Sequence, residues 1–167
     1  RNELMMGHHL AMKTGDVDEE IPGVDTVEPA FGLPAIWIAE EDEERAQFAG
    51  YTVVDLPTVL ATHLTEVLKN HAFEFIGRQE TQKLIDSHAK TEPKVVEELI
   101  PSLVSLGVVQ KVLQNLLKEL VSIRDLHTVL ETLADVAPIT KDPDLLTEHV
   151  RQNLSRQITR QYQTPDG

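Results

Sequence analysis

Histidines and carboxylates are the residues of this chain that could bind a metal ion or transfer protons. His8 and His9 are adjacent, and adjacent side chains of a strand point to opposite faces, which makes them a poor pair of ligands. His63 and His71 are eight residues apart on one predicted helix face, and Val67 lies between them where a third ligand would be needed. We therefore interpret all four as structural histidines, and we predict no metal site and no cofactor.

The carboxylates of the C-terminal half do not suggest catalysis either. Glu97, Glu98, Asp125 and Glu131 are placed for helix capping or for contact with solvent. Nothing in the sequence sets two of them across a pocket, as acid–base hydrolysis requires. A glycine-rich phosphate loop, a GxSxG elbow and an HExxH motif are all missing from the sequence. We predict that the chain is not an enzyme and has no catalytic residue.

Acidic residues are concentrated in one stretch. The formal net charge is -13, and eleven acidic residues but no lysine or arginine lie between positions 16 and 44. The rest of the chain carries a net charge of only -2. Nucleic acids and anionic lipid surfaces bind basic faces, so we predict neither as a partner. We interpret the acidic stretch as a solvated surface, with a dedicated docking face as the alternative.

The composition is that of a globular protein of 167 residues, of which 41% are hydrophobic and 26% charged. Cysteine is absent, which excludes disulfides and thiolate metal sites. No apolar run approaches the roughly 20 residues that cross a bilayer. We expect the chain to be a piece of a longer protein.

The segment 50–80 predicts a short strand followed by a long amphipathic helix. Residues 51–54 suit a strand, Asp55 is placed to cap the helix, and Pro57 falls in its first turn. Gly77 is predicted to end the helix in the left-handed conformation. Apolar residues recur every three or four positions and predict one apolar helix face: Leu60, Leu64, Val67, Leu68, His71 and Phe75. We expect this helix, residues 56–77, to connect two subdomains.

The N-terminal residues 1–55 are predicted to form a small α+β subdomain. Strands are expected at residues 4–6, 10–12 and 35–39, the last of which carries the only tryptophan. Residues 14–28 contain glycine and proline among acids and are predicted to form a loop. A short charged helix is expected over residues 40–49.

The C-terminal residues 78–162 are predicted to form a helical bundle, and residues 163–167 a tail. Ser122 is expected to cap one of its helices, with Asp125 at the third position as in a capping box. A single long helix is expected over residues 142–158. The predicted fold class is therefore α+β and mostly helical, with a small α+β unit joined by a long helix to a bundle.

A helix-turn-helix that binds nucleic acid is the alternative function. Residues 111–120, a tight turn at 121–122 and residues 123–133 fit that motif. The second helix would offer Arg124, Asp125, His127, Thr128, Glu131 and Thr132 to DNA. Between positions 93 and 135 the net charge is -2, whereas phosphate binding needs excess cations. We favour a structural helical hairpin here.

Six sequence blocks, which follow one another in a fixed order over nearly the whole chain, carry a resemblance to a known family. The blocks are TVEPAFGLPAIWI, GYTVVD, TVLATHLTEVLKNHA, GRQETQKLID, VLQNLLKELVSIRDLHTVLETLAD and DPDLLTEHVRQNLSRQIT. They closely resemble the cytoplasmic region of the large export-gate subunit of flagellar and type III secretion systems, the FHIPEP family.

The resemblance implies a protein-binding platform on the cytoplasmic face of the bacterial inner membrane. It implies a ring, commonly nonameric, that receives export chaperones with their bound substrates and contacts other export-apparatus proteins. Membrane attachment would come only from an N-terminal domain that is absent here. Residues 1–55 would correspond to the second subdomain, the helix 56–77 to a part of the first, and residues 78–162 to the ring-building subdomain.

The resemblance also implies a chaperone-binding depression. The family's acidic-Pro-x-Phe-Gly motif matches Glu28, Pro29, Phe31 and Gly32 here, and the threonine of its ATH motif matches Thr62. Relatives often have aspartate where this chain has Glu28. On the sequence alone, the simpler interpretation of Phe31 is a buried anchor of its turn.

Overall fold

The computed structural model describes residues 5–15 and 17–162, and it describes side chains up to residue 159. The predicted tail, residues 163–167, lies outside the described residues. The chain folds into two compact units, Arg1–Lys69 and Asn70–Gly167. The boundary falls at the C-terminal end of the helix Leu56–Asn70, which ends before residue 77, where the sequence predicts its end.

The first unit is built on a four-stranded antiparallel sheet with the strand order β2-β3-β1-β4. Two central strands are the predicted ones, since β1 spans His8–Met12 and β3 spans Pro34–Ala39. The strand expected at residues 4–6 is not formed at Met5 and Met6, because a turn at Met6 and Gly7 precedes β1; residue 4 lies outside the described residues. Strand β4 is Thr52–Val54, also as predicted, and β2 is Val24–Val27.

Side-chain alternation divides this sheet into two apolar faces. Ile36 and Ile38 of β3 point to one face, where they pack with Ala11, Ala46 and Tyr51. On the other face, the neighbouring positions of β3 and β1 pack against the start of a helix: Leu10, Ala35, Trp37 and Val59. Trp37 is only 4% exposed. Both faces of a small sheet are thus buried within one unit.

Strand β2 corrects the prediction of a loop over residues 14–28. Val24, Asp25 and Val27 are exposed because β2 is an edge strand, paired only with β3. Edge strands often carry a polar or charged residue, so the run VDTV lacks the hydrophobic signal that marks an inner strand. The β-branched residues of this run were its only strand signal.

Two helices complete the first unit. Helix α1, Glu43–Phe48, follows a 3-10 turn at Glu40–Asp42, in agreement with the charged helix expected there. Helix α2 is Leu56–Asn70, and a separate 3-10 turn follows at Ala72–Phe75. Gly77 has a φ of -86° and precedes helix α3, so the prediction of a left-handed helix end at Gly77 is wrong.

The predicted apolar face of α2 is exposed instead of packed. Val59 is the one buried residue of this helix. Four residues of the predicted apolar face expose 40% or more of their surface within this chain: Leu60, Leu64, Val67 and Leu68. The predicted helical period is right, but this face stays exposed among the described residues.

Within the described residues, the second unit is a bundle of six α-helices: α3 (Arg78–Ala89), α4 (Pro93–Glu98), α5 (Leu106–Lys118), α6 (Leu126–Val136), α7 (Pro143–Asn153) and α8 (Ser155–Tyr162). A π-helical segment, Leu99–Leu103, follows α4. One hydrophobic core joins them, and α5 supplies Val109, Val112, Leu113 and Leu116 to it. Helix α7 packs against both α5 and α6. The observed architecture confirms the predicted fold class, α+β and mostly helical.

Two details of the bundle differ from the predictions. Asp125, not Ser122, caps α6, because its carboxylate accepts the backbone N–H of Thr128 at 3.1 Å. Ser122 lies in the preceding linker and accepts the N–H of Arg124. The single helix expected over residues 142–158 is two helices, which divide at Leu154.

No described helix is both long and apolar enough to cross a membrane.

Candidate functional site

A small depression on the first unit brings three of the four predicted site residues together. Its volume is about 70 Å³, and it lies between two strands, the loop that joins β2 to β3, and helix α2. Its lining residues are Leu10, Met12, Glu28, Phe31, Val54, Val59 and Thr62. We call it the Phe31 depression. Pro29 does not line it but lies between two lining residues in the chain.

The loop of residues 28–33 is closed like a hairpin. The N–H of Glu28 donates to the carbonyl of Leu33 at 2.8 Å, and Gly32 N–H donates to the carbonyl of Glu28 at 3.0 Å. Gly32 has a φ of +71°, a left-handed conformation that suits glycine. The backbone of this loop is therefore fixed from both ends.

The Glu28 carboxylate binds the loop from inside. It is 4% exposed, and its two oxygens accept the backbone N–H groups of Ala30 at 2.9 Å and of Phe31 at 2.6 Å. Hydrogen bonds to an ionised group are short and strong, which matches the second distance. Both oxygens of Glu28 are thus engaged within its own loop, and its role is to hold Phe31 in place.

Phe31 projects outward from this loop. Its side chain is 61% exposed, so the interpretation of Phe31 as a buried anchor of its turn is wrong for this chain. Pro29 and Pro34 flank it, and their fixed φ angles remove freedom from the loop. An exposed ring on a fixed backbone loses little conformational entropy when it binds a partner.

Thr62 approaches the depression from α2. The helix begins with Asp55, whose carboxylate accepts the N–H of Thr58 at 3.0 Å, and this cap sets the direction of the first turns. Val59 is then buried against the sheet, and Thr62, one turn later, is half-buried at the edge of the depression. A longer side chain at position 62 would enter the depression.

The helix cap shifts the pKa of Asp55. Hydrogen bonds from the side chain and backbone of Thr58, with a smaller contribution from His9, lower the pKa of Asp55 below its ordinary value of 3.8. The lining itself is mostly apolar, with one aromatic ring and several aliphatic side chains beside Glu28 and Thr62. Such a surface can bind an apolar side chain of a protein partner.

The histidines named in the sequence occupy unrelated positions. His9 lies 3.3 Å from Glu43, and His8 contacts the carbonyl of Met6. His71 pairs with Glu74 at 2.8 Å on the surface. None of these joins a group of three possible ligands among the described residues.

The helix-turn-helix geometry is not present. Residues 119–125 separate α5 from α6, a longer linker than the three or four residues of that motif. Thr132, one of the residues that would read DNA, is 3% exposed and accepts a hydrogen bond from Asn153 of α7. Its face of α6 therefore belongs to the core.

One cluster was missed by the sequence analysis. His88, Glu92 and His127 place three possible ligand atoms within 4.8 Å of one another. The signal that could have found it is a histidine followed four residues later by glutamate, which occurs at residues 88–92 and again at 127–131. That spacing is common on helix surfaces, so it was not selective.

Comparisons with known proteins agree with the resemblance in the sequence. A sequence model of the FHIPEP family matches residues 1–167. The chain is similar to "Flagellar biosynthesis protein FlhA" of Bacillus subtilis (strain 168), with 53% identity over 162 residues that cover 97% of this chain and 24% of that protein.

Two solved structures share the fold. The complex of Chlamydia pneumoniae CdsV and CdsO matches with a TM-score of 0.80 and 27% identity, over 98% of this chain and 53% of the matched chain. Nonameric SctV-C of EPEC, solved by cryo-EM, matches with a TM-score of 0.71 and 28% identity, over 96% of this chain and 49% of the matched chain. The chain thus spans about a quarter of the B. subtilis protein and about half of each matched structure.

Proposed function

The chain belongs to the FHIPEP family, and on this basis we propose that it is part of the cytoplasmic region of a flagellar protein-export gate. In this role it acts as a docking platform for export chaperones that carry their substrates, and it performs no catalysis. The observation that carries the proposal is the Phe31 depression, where a fixed and exposed aromatic ring stands beside an apolar hollow.

Three properties of the depression support a docking role. Aromatic side chains that are held rigidly are frequent anchors of protein–protein contacts. The carboxylate of Glu28 is used inside the loop, so a partner meets the ring and aliphatic groups instead of a free charge. Glu28, Phe31 and Thr62 match the family's docking motifs, and they converge here although Thr62 lies far from the others in sequence.

We assign α2 to a further subdomain that the rest of the cytoplasmic region completes. Its exposed face of Leu60, Leu64, Val67 and Leu68 needs an apolar cover. The matched solved chains are about twice as long as this one, which leaves room for such a cover. This assignment retains the proposed subdomains of residues 1–55, 56–77 and 78–162.

The second unit, in this proposal, builds a ring beneath the membrane. The matched SctV-C is nonameric, and the matched CdsV was solved with CdsO, so we propose self-association and contacts with other export proteins for this chain as well. Residues 78–162 contain twelve acidic and eleven basic residues, a net charge of only -1, so copies of the bundle can approach one another without strong repulsion. The chain would lie on the cytoplasmic face of the inner membrane, and a separate N-terminal domain would attach it to that membrane.

This chain by itself is expected to be monomeric or weakly associating. Ring contacts need a high local concentration, which membrane attachment supplies in the complete protein. Sedimentation velocity at micromolar concentrations should show a monomer. A stable closed dimer would argue against a ring-building unit, because a closed dimer uses a different symmetry and interface.

The decisive experiment replaces Phe31 with alanine in a chain extended to the complete cytoplasmic region. We expect chaperone–substrate binding to weaken at least about tenfold. The melting temperature should stay within about 3 °C of wild type, since the removed ring is mostly exposed. Calorimetric titration with flagellar chaperone–substrate complexes measures the first quantity and scanning calorimetry the second.

Phe48→Ala is the matched control. Phe48 is also on the first unit and is 87% exposed, but it does not line the depression, so its removal should leave binding unchanged. Thr62→Met should weaken binding by filling the depression, whereas Thr65→Met, on the exposed side of the same helix, should not. Normal chaperone binding by Phe31→Ala, or a large loss of stability, would refute the docking assignment.

A further inference from the structure

His88, Glu92 and His127 come together at one corner of the second unit. His88 lies in the last turn of α3, Glu92 directly precedes α4, and His127 is in the first turn of α6. Their possible ligand atoms all lie within 4.8 Å of one another, and the two imidazole centroids are 5.8 Å apart. We propose that this group, the His88 cluster, binds a divalent first-row transition metal ion, for which Zn²⁺ is the best match.

The surroundings of His127 are those of a metal-binding imidazole. Its Nδ1 is 2.7 Å from Oε2 of Glu92, and its Nε2 is 3.2 Å from Oε2 of Glu131. Histidine ligands usually donate the N–H of the far ring nitrogen to a carboxylate, which fixes the tautomer and leaves the other nitrogen free to bind metal. Glu131 is placed to do this, so Nδ1 of His127 faces the cluster as a ligand.

His88 supplies a second nitrogen that protein contacts leave unused. Its Nε2 is shielded from solvent and has no hydrogen-bond partner in the described part of the chain. Nδ1 of His127 also lacks a well-aligned hydrogen bond, although it is close to Glu92. Shielded polar atoms are normally paired. An ion between the three side chains would satisfy both nitrogens and the carboxylate together.

The geometry requires only small side-chain movements. Ligand atoms of a tetrahedral zinc ion, at about 2.1 Å from the metal, lie about 3.3 Å apart. The present separations are 2.7 Å for His127 and Glu92 and at most 4.8 Å within the cluster. The side chains of Glu92 and His127 are 45% and 41% exposed, so both can adjust. Three protein ligands leave the fourth position to water.

The ligand set selects the class of metal. Two imidazole nitrogens and one carboxylate suit zinc and its first-row neighbours, whereas Ca²⁺ and Mg²⁺ prefer oxygen ligands alone. The chain has no cysteine that could compete for the ion. A bound ion would connect the junction of α3 and α4 to the start of α6, and would therefore stabilise the second unit against unfolding.

The test uses the whole chain, without a polyhistidine tag, and Zn²⁺ as the probe. Calorimetric titration at pH 7.5 should show one strong site per chain. His127→Ala and Glu92→Gln should each weaken this site at least about a hundredfold, because each removes a ligand. Glu131→Gln should weaken it about tenfold or more, the usual effect of losing a carboxylate that orients a histidine ligand.

His71→Ala is the matched control, because His71 forms a similar histidine–glutamate pair with Glu74 but is in no group of three possible ligands within the described residues. It should bind zinc as the wild type does. Glu92→Gln changes an exposed side chain, so loss of binding in that variant is not a consequence of misfolding. Thermal unfolding gives a second measurement: zinc should raise the melting temperature of the wild type and His71→Ala but not of Glu92→Gln.

Two outcomes would overturn the proposal. One is the absence of a strong one-to-one site in the wild type. The other is a site that survives equally in His127→Ala and Glu92→Gln, since it would then lie elsewhere, for example at His8 and His9. Replacement of zinc by Co²⁺ adds a structural check, because tetrahedral cobalt with nitrogen and oxygen ligands absorbs visible light and an aqueous octahedral ion does so only weakly.

Discussion

Glu28 shows how one buried carboxylate can organise a loop from inside. Its oxygens accept the N–H groups of Ala30 and Phe31, and the loop carries a phenylalanine outward on the far side of these bonds. The sequence analysis placed Glu28 at the docking site because of a family motif. The structure shows a different physical task, which is to hold the backbone of the loop that carries Phe31.

We expect Glu28→Gln to destabilise this loop. Glutamine keeps one carbonyl oxygen but presents an NH₂ group to the second backbone N–H, so one buried donor loses its acceptor and meets another donor. The expected loss is about 1.5–3 kcal/mol of unfolding free energy, the usual range for a hydrogen bond to a charged group. Amide hydrogen exchange should be faster at Ala30 and Phe31, and urea unfolding should give the free energy.

Glu44→Gln is the control for that measurement, because Glu44 is an exposed residue of α1 in the same unit. It should change the unfolding free energy by less than about 0.5 kcal/mol. Unchanged exchange rates at Ala30 and Phe31 in Glu28→Gln would show that the carboxylate does not hold the loop.

At the scale of the helix, the start of α2 depends on the charge of Asp55. The hydrogen bonds from Thr58 stabilise the ionised carboxylate and lower its pKa below 3.8. A depressed pKa means that the cap contributes stability above the unfolded pKa, and that this contribution is lost as the pH falls through the folded pKa. The first turn of α2 is therefore expected to loosen in acid, below about pH 4.

Carbon-detected NMR titration of the Asp55 carboxyl group checks this prediction. Its midpoint should lie below 3.8, and the Thr58 amide should lose protection over the same pH range. Asp55→Ala should abolish the pH dependence at Thr58, because no carboxylate is left to titrate. A midpoint at or above the ordinary value would contradict the capping interaction.

The backbone at the C-terminal end of α5 is strained at Leu120. Leu120 has a φ of +58°, which is unfavourable for a residue with a side chain. It lies at the turn of a Schellman motif, in which Val121 N–H donates to the carbonyl of Leu116 and Leu120 N–H to that of Leu117. Glycine is the usual residue at this position.

Leu120→Gly should therefore raise the unfolding free energy by about 0.5–1 kcal/mol. Relief of the left-handed backbone, about 1–2 kcal/mol, exceeds the entropy that glycine adds to the unfolded chain. Leu120→Ala is the control, since it shortens the side chain but keeps the strain. The midpoints of urea unfolding of the wild type, Leu120→Gly and Leu120→Ala measure the difference. A lower midpoint for Leu120→Gly than for Leu120→Ala would show that backbone strain is not the main effect.

Elements of the fold were predictable where local chemistry alone determines them. The helices of the bundle repeat apolar residues with the helical period, and Asp55 and Pro57 mark the start of α2, so these were found correctly. Strand β2 was missed because an edge strand needs no apolar alternation. The cap of α6 was placed at Ser122 because both Ser122 and Asp125 can cap, and only the three-dimensional path of the linker selects between them.

The candidate site was predictable through the family motif and not through residue chemistry. Phe31 is exposed because the buried carboxylate of Glu28 accepts hydrogen bonds from the backbone of its loop. No periodicity in the sequence indicates these hydrogen bonds. The His88 cluster was missed for a related reason. His127 meets His88 and Glu92 only because α6 packs beside the α3–α4 corner, a contact between residues distant in sequence.

At the scale of the whole molecule, charge argues against nucleic acid as a partner. We expect no DNA binding, because the net charge is -13 and the hairpin of α5 and α6 carries no excess of cations. Anisotropy of a labelled duplex, titrated at low salt where non-specific binding is strongest, is the sensitive measurement. A micromolar affinity that falls steeply with added salt would contradict this expectation.

Trp37 gives the first unit an intrinsic fluorescent probe. It is the only tryptophan of the chain, so emission excited at the red edge of the absorption band, where tyrosine contributes little, reports the first unit. It packs with Leu10 and Val59, which also line the Phe31 depression. The indole is thus an optical sensor beneath the proposed docking site. Its emission should respond when a chaperone occupies that site, and no label needs to be attached.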